Sequence, residues 1–175
     1  VKHNLMELVK YLRRSLELTE KLSVSLQDEL DFVRTYIELE RGRVGEEFVA
    51  TVTVEDGLDA TRIMIPSMIV QIPVENAIKH GLAGKDGKKE LSVYVSRETN
   101  GIRITVTDNG RGYLPQVVSA TRGTGTGLKV LYQTIQLLNT KNKSDKIRFN
   151  ITNRSDGQTG TEVSVYIPFR FSYDL

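Results

Sequence analysis

From Phe48 onward the apolar residues fall on every second position in five separate runs. Phe48, Ala50, Val52 and Val54 form the first, and Leu91, Val93 and Val95 the second. Ile102, Ile104 and Val106 form the third, Ile147, Phe149 and Ile151 the fourth, and Val163, Val165 and Ile167 the last. Between them stand residues such as Thr51, Thr53, Ser92, Tyr94, Arg103 and Thr105. A period of two means strands with one apolar and one polar face, hence a sheet covered by helices on one side and open to water on the other. A doubly wound parallel sheet, whose strands are apolar on both faces, does not fit. Asn100-Gly101 and Asp156-Gly157 predict tight turns that close two hairpins.

The other segments have the helical period. The first 45 or so residues contain no Gly or Pro before Gly42, and Leu5, Leu8, Leu12, Leu16 and Leu18 predict one helix. A second begins with Ser25 as N-cap and with Asp28 and Glu29 in its first turn, where they suit the helix dipole. It runs through Leu26, Leu30, Val33, Ile37 and Leu39 until Gly42 and Gly45 stop it. A third is expected from about Ser67 to His80, with Ser67 as N-cap, Gly81 as a left-handed C-terminal residue, and Pro73 as an internal cost. A Gly-rich loop from Asp108 to Gly127 then leads into a helix from Leu128 to about Asn139. The order is helix, helix, strand, helix, hairpin, loop, helix, hairpin, which reads as a two-layer α+β sandwich: a helical segment over 1–45, then a domain over 46–175.

At 175 residues and 19.7 kDa the chain has room for one such domain and an appendage. With no Cys, disulfide scaffolds, Cys-based zinc sites, iron–sulfur clusters and thiol nucleophiles are excluded. A net charge of +2, from 24 basic and 22 acidic residues, is too small and scattered for a dedicated nucleic-acid or membrane surface. The longest apolar stretch, Ile63 to Val74, is broken by Pro66, Ser67, Gln71 and Pro73 and falls short of the about 20 residues that span a bilayer. No signal peptide leads the chain, and a start at Val1 directly into a helical pattern reads as a piece of something larger.

Four segments carry chemistry. In Val74-Glu75-Asn76-Ala77-Ile78-Lys79-His80-Gly81, helical spacing puts Asn76, Lys79 and His80 on one face. An amide oxygen, an ammonium and an imidazole there suit Mg²⁺ and nucleotide phosphates, because Mg²⁺ takes few protein ligands; a plain polar helix face is the alternative. Asp108-Asn109-Gly110-Arg111-Gly112 ends a strand with a carboxylate able to accept from a purine amine, between glycines that let a base approach the backbone; a simple Asp turn is the alternative. Gly123-Thr124-Gly125-Thr126-Gly127-Leu128 precedes a helix and offers backbone amides to an anion, against the reading of a flexible linker. It is neither the P-loop nor the dinucleotide fingerprint. Gly160-Thr161 opens the last strand and by itself reads as a turn.

In this order the four segments resemble the N, G1, G2 and G3 boxes of the Bergerat-fold (GHKL) ATP-binding superfamily. Within it, Ile65-Pro66 through Gln71-Ile72-Pro73-Val74-Glu75-Asn76-Ala77-Ile78-Lys79-His80-Gly81 is similar to the LytS-type sensor histidine kinases. Leu8 to Arg13 and Leu26 to Arg41 resemble the helices that precede the ATP domain there. The resemblance implies a mixed, largely antiparallel sheet and binding of ATP and Mg²⁺. Asn76 would be the Mg²⁺ ligand, with Lys79 and His80 near the phosphates or ribose. Asp108 would receive the adenine amine, and Gly110 and Gly112 would admit the base and hinge a lid that lies between Gly112 and Gly123. Gly123, Gly125 and Gly127, with Leu128 behind them, would wrap the phosphates, and Thr161 would support the adenine site through water beside Asp108.

Three departures stand beside this. The proline comes one place later than the usual Gln-Pro. Lys129-Val130-Leu131-Tyr132 replaces a more usual Asn followed by Arg-Leu. The phosphoacceptor motif Pro-His-Phe-Leu-Phe-Asn is absent, and His3, followed by Asn4-Leu5-Met6, reads as a surface helix residue, so the acceptor is expected upstream of Val1. Where the superfamily's ATPases have a Glu one turn before the metal-binding Asn, this chain has Ile72, which cannot be a base; Glu75 is rotated about 100° from Asn76. The resemblance therefore implies phosphoryl transfer to a histidine. It further implies a homodimer in the intact protein, a response regulator as partner, and a cytoplasmic domain of an inner-membrane parent that meets the membrane only through missing upstream segments. The alternatives are an anti-sigma-factor type of serine kinase and a non-catalytic nucleotide-binding or dimerisation module.

Overall fold

The computed structural model describes residues 21–112 and 124–174, without the side chains of 124–126. The first predicted helix, His3, Gly123 and the expected lid lie outside the described residues.

A short strand β1, Ser23–Ser25, leads into helix α1, Leu26–Val44. Ser25 is the N-cap as expected, its hydroxyl accepting from the Asp28 N–H at 3.0 Å. Gly42 does not stop the helix. Gly45 does, at φ 115°, with its N–H donating to the Arg41 carbonyl at 3.1 Å. Strand β2, Phe48–Val54, follows, and then the three-residue strand β3, Met64–Pro66, which pairs antiparallel with β1.

Helix α2 is shorter than predicted and begins later, at Gln71–Asn76, and continues as a π-helical turn, Ala77–Gly81. Ser67 is not its N-cap: the Ser67 hydroxyl donates to the Lys21 carbonyl instead. Pro73 therefore falls in the first helical turn, where an N–H would have no intrahelical partner, and its expected cost disappears. Gly81 is not left-handed either, since its φ is not positive.

Strands β4, Lys89–Glu98, and β5, Gly101–Asp108, form the expected hairpin. Glu98 pairs with Gly101, so Thr99 and Asn100 are the turn and Gly101 is already strand. A side chain there would start 2.3 Å from the Ile167 carbonyl, which is the reason for the glycine. Helix α3, Thr124–Lys141, starts four residues before Leu128, and β6, Arg148–Asn153, and β7, Thr161–Pro168, close the chain as a hairpin.

The main sheet has the order β2-β4-β5-β7-β6, with β2 parallel to β4 and every other pair antiparallel. It is the mixed sheet of a two-layer α+β fold. The inward residues are those of the five alternating runs, including Phe48, Val93, Val95, Ile104, Val106, Val165 and Ile167. They meet Leu26, Leu30, Phe32, Val33 and Ile37 of α1, Val74 of α2, and Leu131 and Ile135 of α3 in one buried cluster. Each fully buried aliphatic or Phe side chain contributes about 1.5–3 kcal/mol, and α1 supplies several, so it is part of this core and not a detached arm. No helix among the described residues is long and apolar enough to cross a membrane.

Candidate functional site

β5 delivers Asp108 to the end of the central strand, where it is 4% exposed. One carboxyl oxygen accepts from the Gly110 N–H at 2.8 Å, and the Thr161 main-chain N–H at the start of β7 also reaches the carboxylate. Burial pushes the Asp108 carboxyl above its ordinary range, and these two N–H groups and the Arg154 guanidinium pull it partly back. The next residue, Asn109, locks the turn: its side-chain oxygen accepts from the Glu90 N–H at 2.8 Å and its amide donates to the Lys88 carbonyl at 3.0 Å.

Backbone closes tightly around this carboxylate. A Cβ on Gly81 would lie 3.0 Å from both Asp108 carboxyl oxygens, and one on Gly110 would lie 1.9 Å from the Gly81 carbonyl oxygen. Gly160 is held at φ 142°, and its Cβ would fall 1.9 Å from the Asp108 carbonyl oxygen. Gly112, at φ 93°, abuts the Asn153 side chain. Glycine is required at 110 and 160 by close approach, and at 160 by conformation as well.

Asn76 closes α2, with the exposed Lys79 and His80 on the π turn behind it. The i→i+5 bond from the Leu82 N–H to the Ala77 carbonyl, 2.8 Å, widens this turn. It alters the α-helical spacing from which a common face was expected. The Asn76 side-chain N–H₂ is buried with no hydrogen-bond partner among the described residues. His80 is held below its ordinary pKa by desolvation and by the nearby Lys79 and Arg111 charges, which favours the neutral imidazole. Arg111 donates to the Ala83 carbonyl at 3.1 Å and lines an open cleft with Ala83, Gly84, Lys85, Gly110 and Thr159.

Gly125 and Gly127 lie in the first turn of α3, not in a loop, and Leu128 is partly buried behind them. Gly127 faces the Ile72 side chain, with 3.5 Å between its Cβ position and the Ile72 methyl. α2 and α3 thus meet at Ile72, one turn before Asn76.

The fold brings Asp108, Gly110, Gly112 and Thr161 together at one end of the sheet, and sets Asn76 and the start of α3 on the helical layer. The residues quoted in the sequence motifs but given no role, Asn109 and Arg111, do structural and electrostatic work here. Arg154 and Gly160 stand over Asp108 from the last hairpin, which only the strand pairing reveals. The donor set fits a magnesium nucleotide: a single amide oxygen leaves most of a Mg²⁺ octahedron to phosphate and water, and Asp108 keeps acceptor capacity beyond Gly110 and Thr161.

Comparison with known proteins follows the same line. Residues 61–170 match the family of histidine kinase-, DNA gyrase B- and HSP90-like ATPases, and residues 1–48 match the histidine kinase family. The sensor protein LytS of Bacillus anthracis is 29% identical over 172 residues, taking in 94% of this chain and 28% of the relative. The chain thus spans little more than a quarter of that relative's length. The histidine kinase domain of the Erythrobacter litoralis EL346 blue-light activated histidine kinase has the same fold, with a TM-score of 0.61 at 21% identity over 95% of this chain and 75% of the other. So has full-length ShkA in complex with AMPPNP, with a TM-score of 0.57 at 19% identity over 96% of this chain and 36% of that one. The four motifs, the sheet that joins them and the match over 61–170 agree, and the chain belongs to the histidine kinase-, DNA gyrase B- and HSP90-like ATPase family.

Proposed function

We propose that this chain is the ATP-binding catalytic part of a sensor histidine kinase. The observation that carries the reading is Asp108: a buried carboxylate at the end of the central strand, held by the Gly110 and Thr161 N–H groups with acceptor capacity to spare, beside backbone packed closely at Gly81, Gly110 and Gly160. Asp108 reads the adenine amine. Gly110 and Gly112 admit the base, and Thr161 holds the carboxylate from β7. Asn76 would hold Mg²⁺, and Lys79, His80, Gly125 and Gly127, with Gly123 before them and Leu128 after them in the sequence, would receive the phosphates. When bound, Mg²⁺ neutralises charge on the phosphates. The remaining work is positioning, which accounts for much of catalysis in phosphoryl transfer.

Transfer is favoured over hydrolysis because, among the described residues, neither position 72 nor Glu75 offers a free carboxylate beside Asn76. Ile72 stands one turn before Asn76, and Glu75 is engaged by the Gln71 side-chain amide at 3.0 Å. An anti-sigma-factor type of serine kinase would keep an acidic residue at position 72 and lack a helix such as α1. The accepting histidine belongs outside these 175 residues, since no Pro-His-Phe-Leu-Phe-Asn occurs in them. Residues 1–45 then form the end of the dimerisation and phosphoacceptor region. The whole protein would be a homodimer that passes its phosphoryl group to a response regulator from the cytoplasmic side of a membrane.

The test is calorimetric titration of ATP and AMPPNP into the chain with and without Mg²⁺, alongside an ATP turnover assay. Mg²⁺-enhanced binding with negligible turnover is expected. Absence of nucleotide binding, or rapid hydrolysis, would overturn the reading.

A further inference from the structure

Glu29 ends the first turn of α1 and is fully buried, at 0% exposure. Its sequence position suits the dipole of its own helix, but its carboxylate serves another. Oε1 accepts from the Met68 N–H at 2.9 Å, and Oε2 accepts from the N–H groups of Val70 at 2.8 Å and Gln71 at 3.3 Å. These are donors at the entry of α2, whose N-cap, Val70, has no side-chain hydrogen bond to offer. A residue some forty positions earlier therefore caps this helix. Met68 adopts φ 70°, a conformation uncommon for a residue other than glycine, and its N–H is one of the three that are held.

What lies beyond this clamp is the nucleotide side of the fold. Gln71, whose N–H Glu29 holds, reaches forward to Glu75; Ile72 meets Gly127 at the start of α3; and Asn76 stands five residues on, about 7.5 Å along the axis. A helix so short moves as one piece, so the position of its entry sets the position of its end.

We propose that Glu29 is a positioning residue for the nucleotide site: by fixing the entry of α2 from α1, it sets where Asn76 stands. The inference rests on the reading of Asn76 as the Mg²⁺ ligand. Glu29→Gln is its test, being neutral, nearly the same shape, and placing an N–H₂ where one accepting oxygen now stands.

Two measurements on the 175-residue chain separate this inference from the reading beneath it. Calorimetric Kd values for AMPPNP are taken with Mg²⁺ and with EDTA, and amide hydrogen exchange is followed over Ile72–Asn76. The variant is expected to lose about fivefold or more of the Mg²⁺ enhancement, to keep its metal-free Kd within about twofold, and to exchange faster over Ile72–Asn76. Equal weakening with and without Mg²⁺ would mean a general structural role, and no change in either would mean no role; both overturn the proposal. If the wild-type chain shows no Mg²⁺-enhanced binding, the functional reading fails, and the exchange data judge the clamp: an unchanged rate over Ile72–Asn76 overturns it.

Discussion

Replacing Glu29 with Gln should change how stability depends on pH, by an amount that follows from its surroundings. Burial raises the Glu29 carboxyl from 4.5 to about 7, outweighing the three N–H bonds that stabilise its charge, and no other ionisable side chain contributes to the shift. Because the folded pKa is raised, the native state binds more protons than the unfolded state between pH 4.5 and 7. The stabilisation is complete below 4.5 and is lost as the pH rises through 7. A shift of about 2.5 units at about 1.4 kcal/mol each is about 3 kcal/mol in all, of which about 2 kcal/mol falls between pH 5 and 7. Glu29→Gln cannot titrate. Urea denaturation of both chains at pH 5, 6, 7 and 8 should show wild-type stability declining relative to the variant by about 2 kcal/mol between pH 5 and 7, or about 4–8 °C in Tm. Every other group is common to both chains, so the difference isolates Glu29. Parallel curves would refute the argument, because they would mean that the carboxylate is solvated or that its N–H partners already compensate its burial.

Other substitutions probe the site and its frame. Asn76→Ala should remove the Mg²⁺ enhancement of nucleotide binding, measured by calorimetry, and a normal enhancement would dismiss Asn76 as the ligand. Asp108→Ala should erase the preference for ATP over GTP in competition binding, while in the wild type ATP affinity should fall on acidification at a pH above the ordinary carboxylate range, since burial raises this group. Gly160→Ala should cost at least ~2 kcal/mol by denaturation, because its Cβ meets the Asp108 carbonyl oxygen at 1.9 Å and its φ of 142° suits glycine alone. Gly42→Ala, inside α1 with open space around it, should stabilise the chain by about 0.5–1 kcal/mol.

The parts of the fold that could be read in the sequence are those set by local rules. Each strand of the main sheet buries one face, so alternation gave β2 and β4 to β7 with their inward residues, and Ser25 announced α1 through a hydroxyl three residues from its partner. What escaped depends on partners far along the chain. The parallel pairing of β2 with β4 crosses more than thirty residues, and β1 and β3 are too short to show a period. Around Asp108, the nearness of Gly110 and Thr161 was legible because the motifs keep their types together. Glu29 was not, because a Glu in the first turn of a helix already has an ordinary explanation in the dipole, and nothing nearby signals a carboxylate turned inward. Gly81 misled for a similar reason: a glycine after a helical run reads as a left-handed cap, whereas this one is needed because the Asp108 carboxylate lies 3.0 Å from where its Cβ would be.

Glu29 and Asp108 together explain why the segment from Gln71 to Gly81 changes its winding. At its entry, Glu29 fixes the N–H groups of Val70 and Gln71. At its exit, Gly81 is pressed against the Asp108 carboxylate, and its carbonyl accepts from the Arg111 N–H at 3.3 Å. A helix free at one end absorbs a mismatch in length by fraying or sliding; one fixed at both ends has neither option. The remaining freedom is in the winding, and an i→i+5 turn takes up one residue more than an α-helical turn does. That turn falls at Ala77–Gly81, immediately after Asn76, and so Asn76 sits where a helix anchored to α1 passes into one anchored to β5.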